Sequence, residues 1–187
     1  MSVFVTADHH FGHANIIKYC KRPFLSAGEM DHAMIAAWNL MVSPDDTVYH
    51  LGDFTLTDSL SPWIHALNFA RLYIVPGGHD YRWLAKFDQS LGNRVQILSP
   101  LVTLEFPSGE KHPKVVVLCH YPMLSWDRSH YGSLHIHGHS HGTIANSHSG
   151  DTQLPPGKKQ GRRMDVGVDC WDFMPVALDG LIGAYTS

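Results

Sequence analysis

The chain reads as an α/β protein, a two-sheet β-sandwich flanked by helices in four layers, αββα. Three observations predict this. The first half alternates short β-rich runs with amphipathic helical stretches. The second half is strand-rich with few helical periods. Most β-runs end in a loop that begins with aspartate or histidine, which is where α/β proteins gather ligands along the edge of a sheet.

In order, "VFVTA" (Val3 to Ala7) is a short buried strand ending at Asp8. "SAGEMDHAMIAAWNLMV" places Ser26 and Glu29 in capping-box spacing, then repeats apolar residues at Met30, Ala33, Met34, Ala37, Trp38 and Met41, the signature of an amphipathic helix. "TVYHLGD" is strand then loop. "SPWIHALNFA" is a helix with Ser61 at its cap and Pro62 at its first position. "RLYIVPGGHD" is strand then glycine turn, and "YRWLAKF" begins a helix that Asp80 is placed to cap. "RVQILSPLVTLEF" and "KVVVLCHYPM" flank the turn-like "PSGEKHP" and read as paired strands. "PPGKKQGRR" (Pro155 to Arg163) reads as a solvated loop or as a lip that attracts phosphate.

At 187 residues and 44% hydrophobic content, the chain can bury one ordinary core, so residues 1–187 are expected to form a single domain. A net charge of -3 leaves no broad basic surface, which disfavours extended nucleic acid and anionic membrane as partners and favours a small substrate. Cys20, Cys119 and Cys170 make neither a CxxC pair nor a disulfide framework and read as reduced thiols. With no leader-like start and no stretch approaching a membrane span, the expected compartment is the cytoplasm.

Histidine is the outlier, with 15 copies against 14 lysines plus arginines. "SLHIHGHSHG" alone carries His135, His137, His139 and His141 at every second position. An extended segment would line up all four imidazoles on one face, whereas a turn at Gly138 or Gly142 would split them. The polar residues just after expected strands are Asp8 and His10, Asp53, His79 and Asp80, His120, and His139 and His141. Carboxylate oxygens with imidazole nitrogens suit Mn, Fe, Zn or Ni, with Mn the first choice, and the candidates exceed what one four-coordinate ion requires. Two divalent metal ions are expected.

"DHH" (Asp8 to His10), "GD" (Gly52, Asp53), "GGHD" (Gly77 to Asp80), "CH" (Cys119, His120) and "GHSH" (Gly138 to His141) resemble, in that order, the five signature blocks of the calcineurin-like metallophosphoesterase family. The resemblance spans residues 8 to 141, and the stretches "DHHFGHANIIKYCKRPF" and "VGVDCWDFMPV" are similar to small bacterial and phage members. It implies that Asp8, His10 and His141 hold one ion, that His120 and His139 hold the other, and that Asp53 bridges them. His135 and His137 then have structural or supporting duty on the incoming strand. The implied function is a two-metal phosphoesterase that hydrolyses a small phosphomonoester or phosphodiester, nucleotides included, by attack of a hydroxide shared between the ions. His79 would protonate or stabilise the leaving oxygen, and Asp80 would fix its tautomer and keep it cationic.

One position departs from the family pattern. Where its members read G-N-H-D or G-N-H-E, this chain has Gly78, so the resemblance implies that the second ion loses an amide oxygen, that water fills the gap and that the second site is weakened. A tight turn with positive φ is the alternative reason for a glycine there. Arg22 is a candidate for bidentate phosphate binding, with His13 and Asn15 beside it. Tyr121, Trp126 and Tyr131 are candidates for a stacking wall. Two other functions compete: a non-catalytic protein- or nucleotide-binding module on the same fold, and a nuclease with a rim of Lys111, Lys114, Lys158, Lys159, Arg162 and Arg163, which the net acidity disfavours.

Overall fold

The computed structural model describes residues 1–106, 114–150 and 160–186. The turn "PSGEKHP", the stretch from Pro155 to Lys159, and with them Lys111, Lys158 and Lys159, lie outside the described residues. The fold is mixed α/β, with two five-stranded sheets. In the first, β1 (Val3–Thr6), β2 (Thr47–His50), β3 (Arg71–Ile74) and β4 (Val95–Ile97) run parallel, and β10 (Val176–Ala177) closes one edge antiparallel to β1. The second has the order β5 (Leu101–Phe106), β6 (Lys114–Cys119), β7 (Leu134–His137), β9 (Arg162–Asp165), β8 (Ser147–His148). Within it β6, β7 and β9 are parallel, while β5 and β8 are antiparallel to their neighbours.

Parallel neighbours need crossovers, and helices supply them in the first half. These are α1 (Ala14–Tyr19) and α2 (Ala27–Met41) between β1 and β2, α3 (Ser61–Ala66) before β3, and α4 (Tyr81–Leu84) before β4. The capping box forms as the spacing predicts. Ser26 Oγ accepts from the Glu29 N–H at 3.2 Å, and the Glu29 carboxylate accepts from the Leu25 N–H at 2.8 Å. In α3 the cap is Leu60, one residue before the expected Ser61.

Alternation along the strands separates two cores. Phe4, Val48, Leu72 and Ile74 pack against Met30, Met34 and Trp38 of α2. Val5, Ala7, Leu51 and Val75 instead share a cluster with Val116, Leu118, Leu134 and Ile136 of the second sheet and with Leu178 and Leu181 of α5 (Leu178–Thr186). On the other side of β6, Val115 and Val117 pack against Trp126 from an irregular segment; among the described residues no helix contributes to that cluster. Trp126 is therefore buried packing, with its indole N–H on the Ser133 carbonyl at 3.3 Å, and cannot line a stacking wall. No helix among the described residues is long and apolar enough to cross a membrane.

Candidate metal centre

Every segment carrying a candidate ligand leaves the C-terminal end of a parallel strand. Asp8 and His10 follow β1, Asp53 follows β2, His79 follows β3, His120 follows β6, and His139 and His141 follow β7. These ends meet. One ligand atom from each of Asp8, His10 and His141 lies within 4.8 Å of the others, and the same holds for Asp53, His120 and His139. His10, Asp53 and His79 make a third such group that joins the first two.

The backbone is bent to bring the side chains in. Asp8, His10, Asp53, His139 and His141 all have positive φ, in the left-handed region. A non-glycine residue held there costs about 1–3 kcal/mol. Of the six expected ligands only His120 escapes this. Two glycines let the chains approach. A Cβ on Gly138 would stand 2.6 Å from Asp8 Oδ2, and one on Gly167 would stand 2.7 Å from the same oxygen. Gly78 is not at positive φ, so turn strain does not account for it.

The donor atoms are prepared for a cation. His120 Nδ1 faces the Leu51 carbonyl at 2.7 Å and His141 Nδ1 faces Asp169 at 2.7 Å, so each Nδ1 carries the proton and each Nε2 keeps a bare lone pair. Asp53 turns Oδ1 to the His79 N–H at 2.8 Å and leaves Oδ2 at 3.5 Å from both His10 Nε2 and His120 Nε2. Asp8 uses Oδ2 on the His139 N–H at 2.8 Å. Its Oδ1, with His10 Nε2 and His120 Nε2, is buried without a hydrogen-bond partner among the described residues. Buried polar atoms left without partners, His10 Nδ1 among them, cost free energy unless something meets them, and two divalent cations fit the set. Burial, then the charges of Asp53 and Asp165, push the Asp8 carboxyl well above its ordinary range. Burial, then the neighbouring His141 and Arg22, push His10 well below its own. A cation would offset the first and reinforce the second, favouring an ionised Asp8 and a neutral His10.

Asp169 and Arg22 tie the centre together. Arg22 is buried; its Nε and Nη2 donate to the two Asp169 oxygens at 2.7 Å each, Nη2 also to the Asp8 carbonyl at 2.7 Å, and Nη1 to the His9 carbonyl at 2.9 Å. This corrects the expectation that Arg22 binds phosphate. Its donors are spent on the protein, and its role is to position the "DHH" loop and, through Asp169, His141. Burial raises Asp169, but the hydrogen bonds from His141 and Arg22 outweigh it and the carboxyl ends below its usual range. Asp169 carried no assigned role in the sequence, although it follows strand β9 just as Asp8 and Asp53 follow theirs.

Asp80 also differs from expectation. Its Oδ2 accepts from the Asp53 and Gly77 N–H groups at 2.8 Å, and its Oδ1 from the Phe54 N–H at 2.9 Å and the Trp83 indole at 2.8 Å. Both oxygens are saturated, so Asp80 holds the Asp53 loop rather than the His79 ring, and it makes no side-chain cap to α4. His79 is half exposed, with Nε2 3.9 Å from Asp53 Oδ2 and its ring centroid 5.3 Å from that of His10. His13 lies 5.5 Å from the His10 ring and 6.1 Å from that of His79, while Asn15 is exposed on α1. His135 donates through Nδ1 to the Val117 carbonyl at 3.1 Å and accepts at Nε2 from the Met123 N–H at 3.1 Å. His137 donates through Nδ1 to the Gly138 carbonyl at 2.8 Å. Neither joins a candidate cation group. Tyr121 is exposed against His120 and His139; Tyr131, also exposed, rests on His130.

The class defined here is an α/β protein with a histidine- and aspartate-rich centre at its strand ends. No protein-family model matches the chain. It is 30% identical over 184 residues to Uncharacterized protein MJ1445 of Methanocaldococcus jannaschii, an alignment covering 96% of this chain and 89% of that one, and it belongs to the same family as that protein. It is also 25% identical over 199 residues to the Gene 66 protein of Mycobacterium phage L5, covering 91% and 87% of the two chains. Among solved structures, a protein of unknown function, AQ665 from Aquifex aeolicus, superposes with a TM-score of 0.67 over 98% of each chain at 23% identity, a likeness of fold.

Proposed function

We propose that the protein is a two-metal phosphoesterase of the calcineurin-like type, built as an αββα sandwich and acting in the cytoplasm on a small phosphomonoester or phosphodiester. One observation carries the reading. A single carboxylate oxygen, Asp53 Oδ2, stands 3.5 Å from the Nε2 atoms of two imidazoles, His10 and His120, that belong to two different three-residue groups. That is the arrangement a bridging ligand between two cations requires.

Manganese or a similar divalent pair would supply water activation and neutralise phosphoryl oxygens. Two carboxylates and four imidazoles would balance only part of that charge, so the excess attracts an anionic ester. Within the chain, Asp8, His10 and His141 would hold one cation, His120 and His139 the other, with Asp53 shared. Its exposure and its 3.9 Å approach to Asp53 support a role for His79 in passing a proton to the leaving oxygen from the solvent side. Asp80 keeps Asp53 and His79 in register by fixing the loops on both sides of them.

Elemental analysis of the purified protein, followed by assay of p-nitrophenyl phosphate and its bis ester with added Mn2+, tests this. Two equivalents of metal and turnover of at least one ester are expected. Absence of both metal uptake and turnover would sink the proposal in favour of a non-catalytic binding module.

A further inference from the structure

The two candidate cation groups are not equally enclosed. Asp8, His10 and His141 are buried or half-buried, whereas Asp53, His120 and His139 end in an exposed histidine. On that open side stands Gly78, exposed and without a side chain. The space is not empty. A Cβ built on Gly78 would come 3.1 Å from the Tyr121 hydroxyl, tighter than most such contacts. Tyr121 follows His120 directly and sets its ring edge-to-face against both imidazoles of the group, 4.8 Å from His120 and 4.7 Å from His139. Its backbone is held from behind, since the buried His135 ring fixes the Met123 N–H two residues on at 3.1 Å. No described residue hydrogen-bonds to its hydroxyl.

We infer that the Tyr121 hydroxyl is the oxygen donor that completes the Asp53, His120 and His139 group, in the place a side chain at position 78 would take. The assignment rests on the two-cation reading above and adds a seventh protein ligand to it. The phenol oxygen is a hard donor suited to manganese or magnesium more than to a thiolate-seeking ion. An asparagine at 78 and the tyrosine hydroxyl at 121 are then alternatives that compete for one volume.

Calorimetric titration of the metal-free protein with Mn2+, with bound metal counted by elemental analysis, tests the assignment without any substrate. The wild type takes up two equivalents. Tyr121→Phe weakens the second about tenfold or more and leaves the first unchanged, because a lost ligand should cost at least what a lost supporting partner does. Gly78→Asn combined with Tyr121→Phe restores the second equivalent, whereas Gly78→Asn alone gives no gain over the wild type. Equal melting temperatures of the metal-free proteins separate ligand loss from misfolding. A Tyr121→Phe protein with both affinities at the wild-type value overturns the assignment and leaves the two-cation reading standing. A wild-type chain that takes up no Mn2+ overturns both.

Discussion

At the scale of single residues, the centre stores strain. His139 is exposed and has positive φ, so an unfavourable backbone conformation is held there with little side-chain burial in return. Replacing it with glycine removes the left-handed penalty and little packing. His139→Gly is therefore expected to stabilise the metal-free protein by about 1 kcal/mol while abolishing the second equivalent of Mn2+. Urea denaturation of the metal-free form, set beside the metal count, would show it; a destabilised variant would mean that the imidazole packs structurally. The "DHH", "GD" and "GHSH" blocks were legible as candidate ligands because each places an aspartate or histidine just after a β-run. The left-handed φ values were not legible, since they belong to residues that ordinarily avoid them.

At the scale of elements, the centre depends on a tie between loops distant in sequence. Arg22 and Asp169 are separated by 147 positions and joined by two bonds of 2.7 Å. Arg22→Met would leave the half-buried Asp169 carboxylate with only His141 beside it and release the Asp8 and His9 carbonyls. Breaking one side of such a pair costs about 3–5 kcal/mol, so a large fall in the urea midpoint is expected. A surface phosphate-binding arginine would instead change substrate affinity with stability untouched. Nothing in "CKRPF" reveals this pairing, because an arginine in a loop looks the same whether it meets solvent or a carboxylate brought from the far end of the chain. The first-half strands, the β5–β6 pair and α2 were legible from periodicity, whereas Arg162 and Arg163, read as loop, begin strand β9. The short α1 and the irregular cover over Val115 and Val117 were not, since so short a helix carries too little period and an irregular segment carries none.

At the scale of the whole molecule, burying so many imidazoles makes stability depend on pH. Burial, with Arg22 as a second cause, lowers His9 to about 3; burial lowers His135 to about 4. His50 is pushed well below its ordinary value, again by burial and then by His9, whose Nδ1 lies 2.9 Å from His50 Nε2. In the unfolded chain these groups take up protons near pH 6.5, and in the folded chain they do not, so the unfolded state binds more protons across the interval. Stability is therefore full above about pH 6.5 and falls as pH drops towards about 4, by about 1 kcal/mol per pH unit for each such histidine. Denaturant midpoints of the metal-free protein, followed from neutral pH down to about pH 5, should decline steeply. A flat profile would mean that these imidazoles are charged or solvated in the folded state.

The sequence by itself determined the α/β class, the order of the main strands in the first half, and which carboxylates and imidazoles follow the strands, because hydrophobic period and residue type are local properties. Only the tertiary structure decided how those residues share the work. Whether His135 supports a loop or joins a cation, whether Asp80 serves His79 or Asp53, and whether Arg22 faces a substrate or Asp169 all depend on which hydrogen-bond partners arrive from other strands. A side chain's role is set by the atoms packed around it, and those come from sequence positions that no local pattern connects.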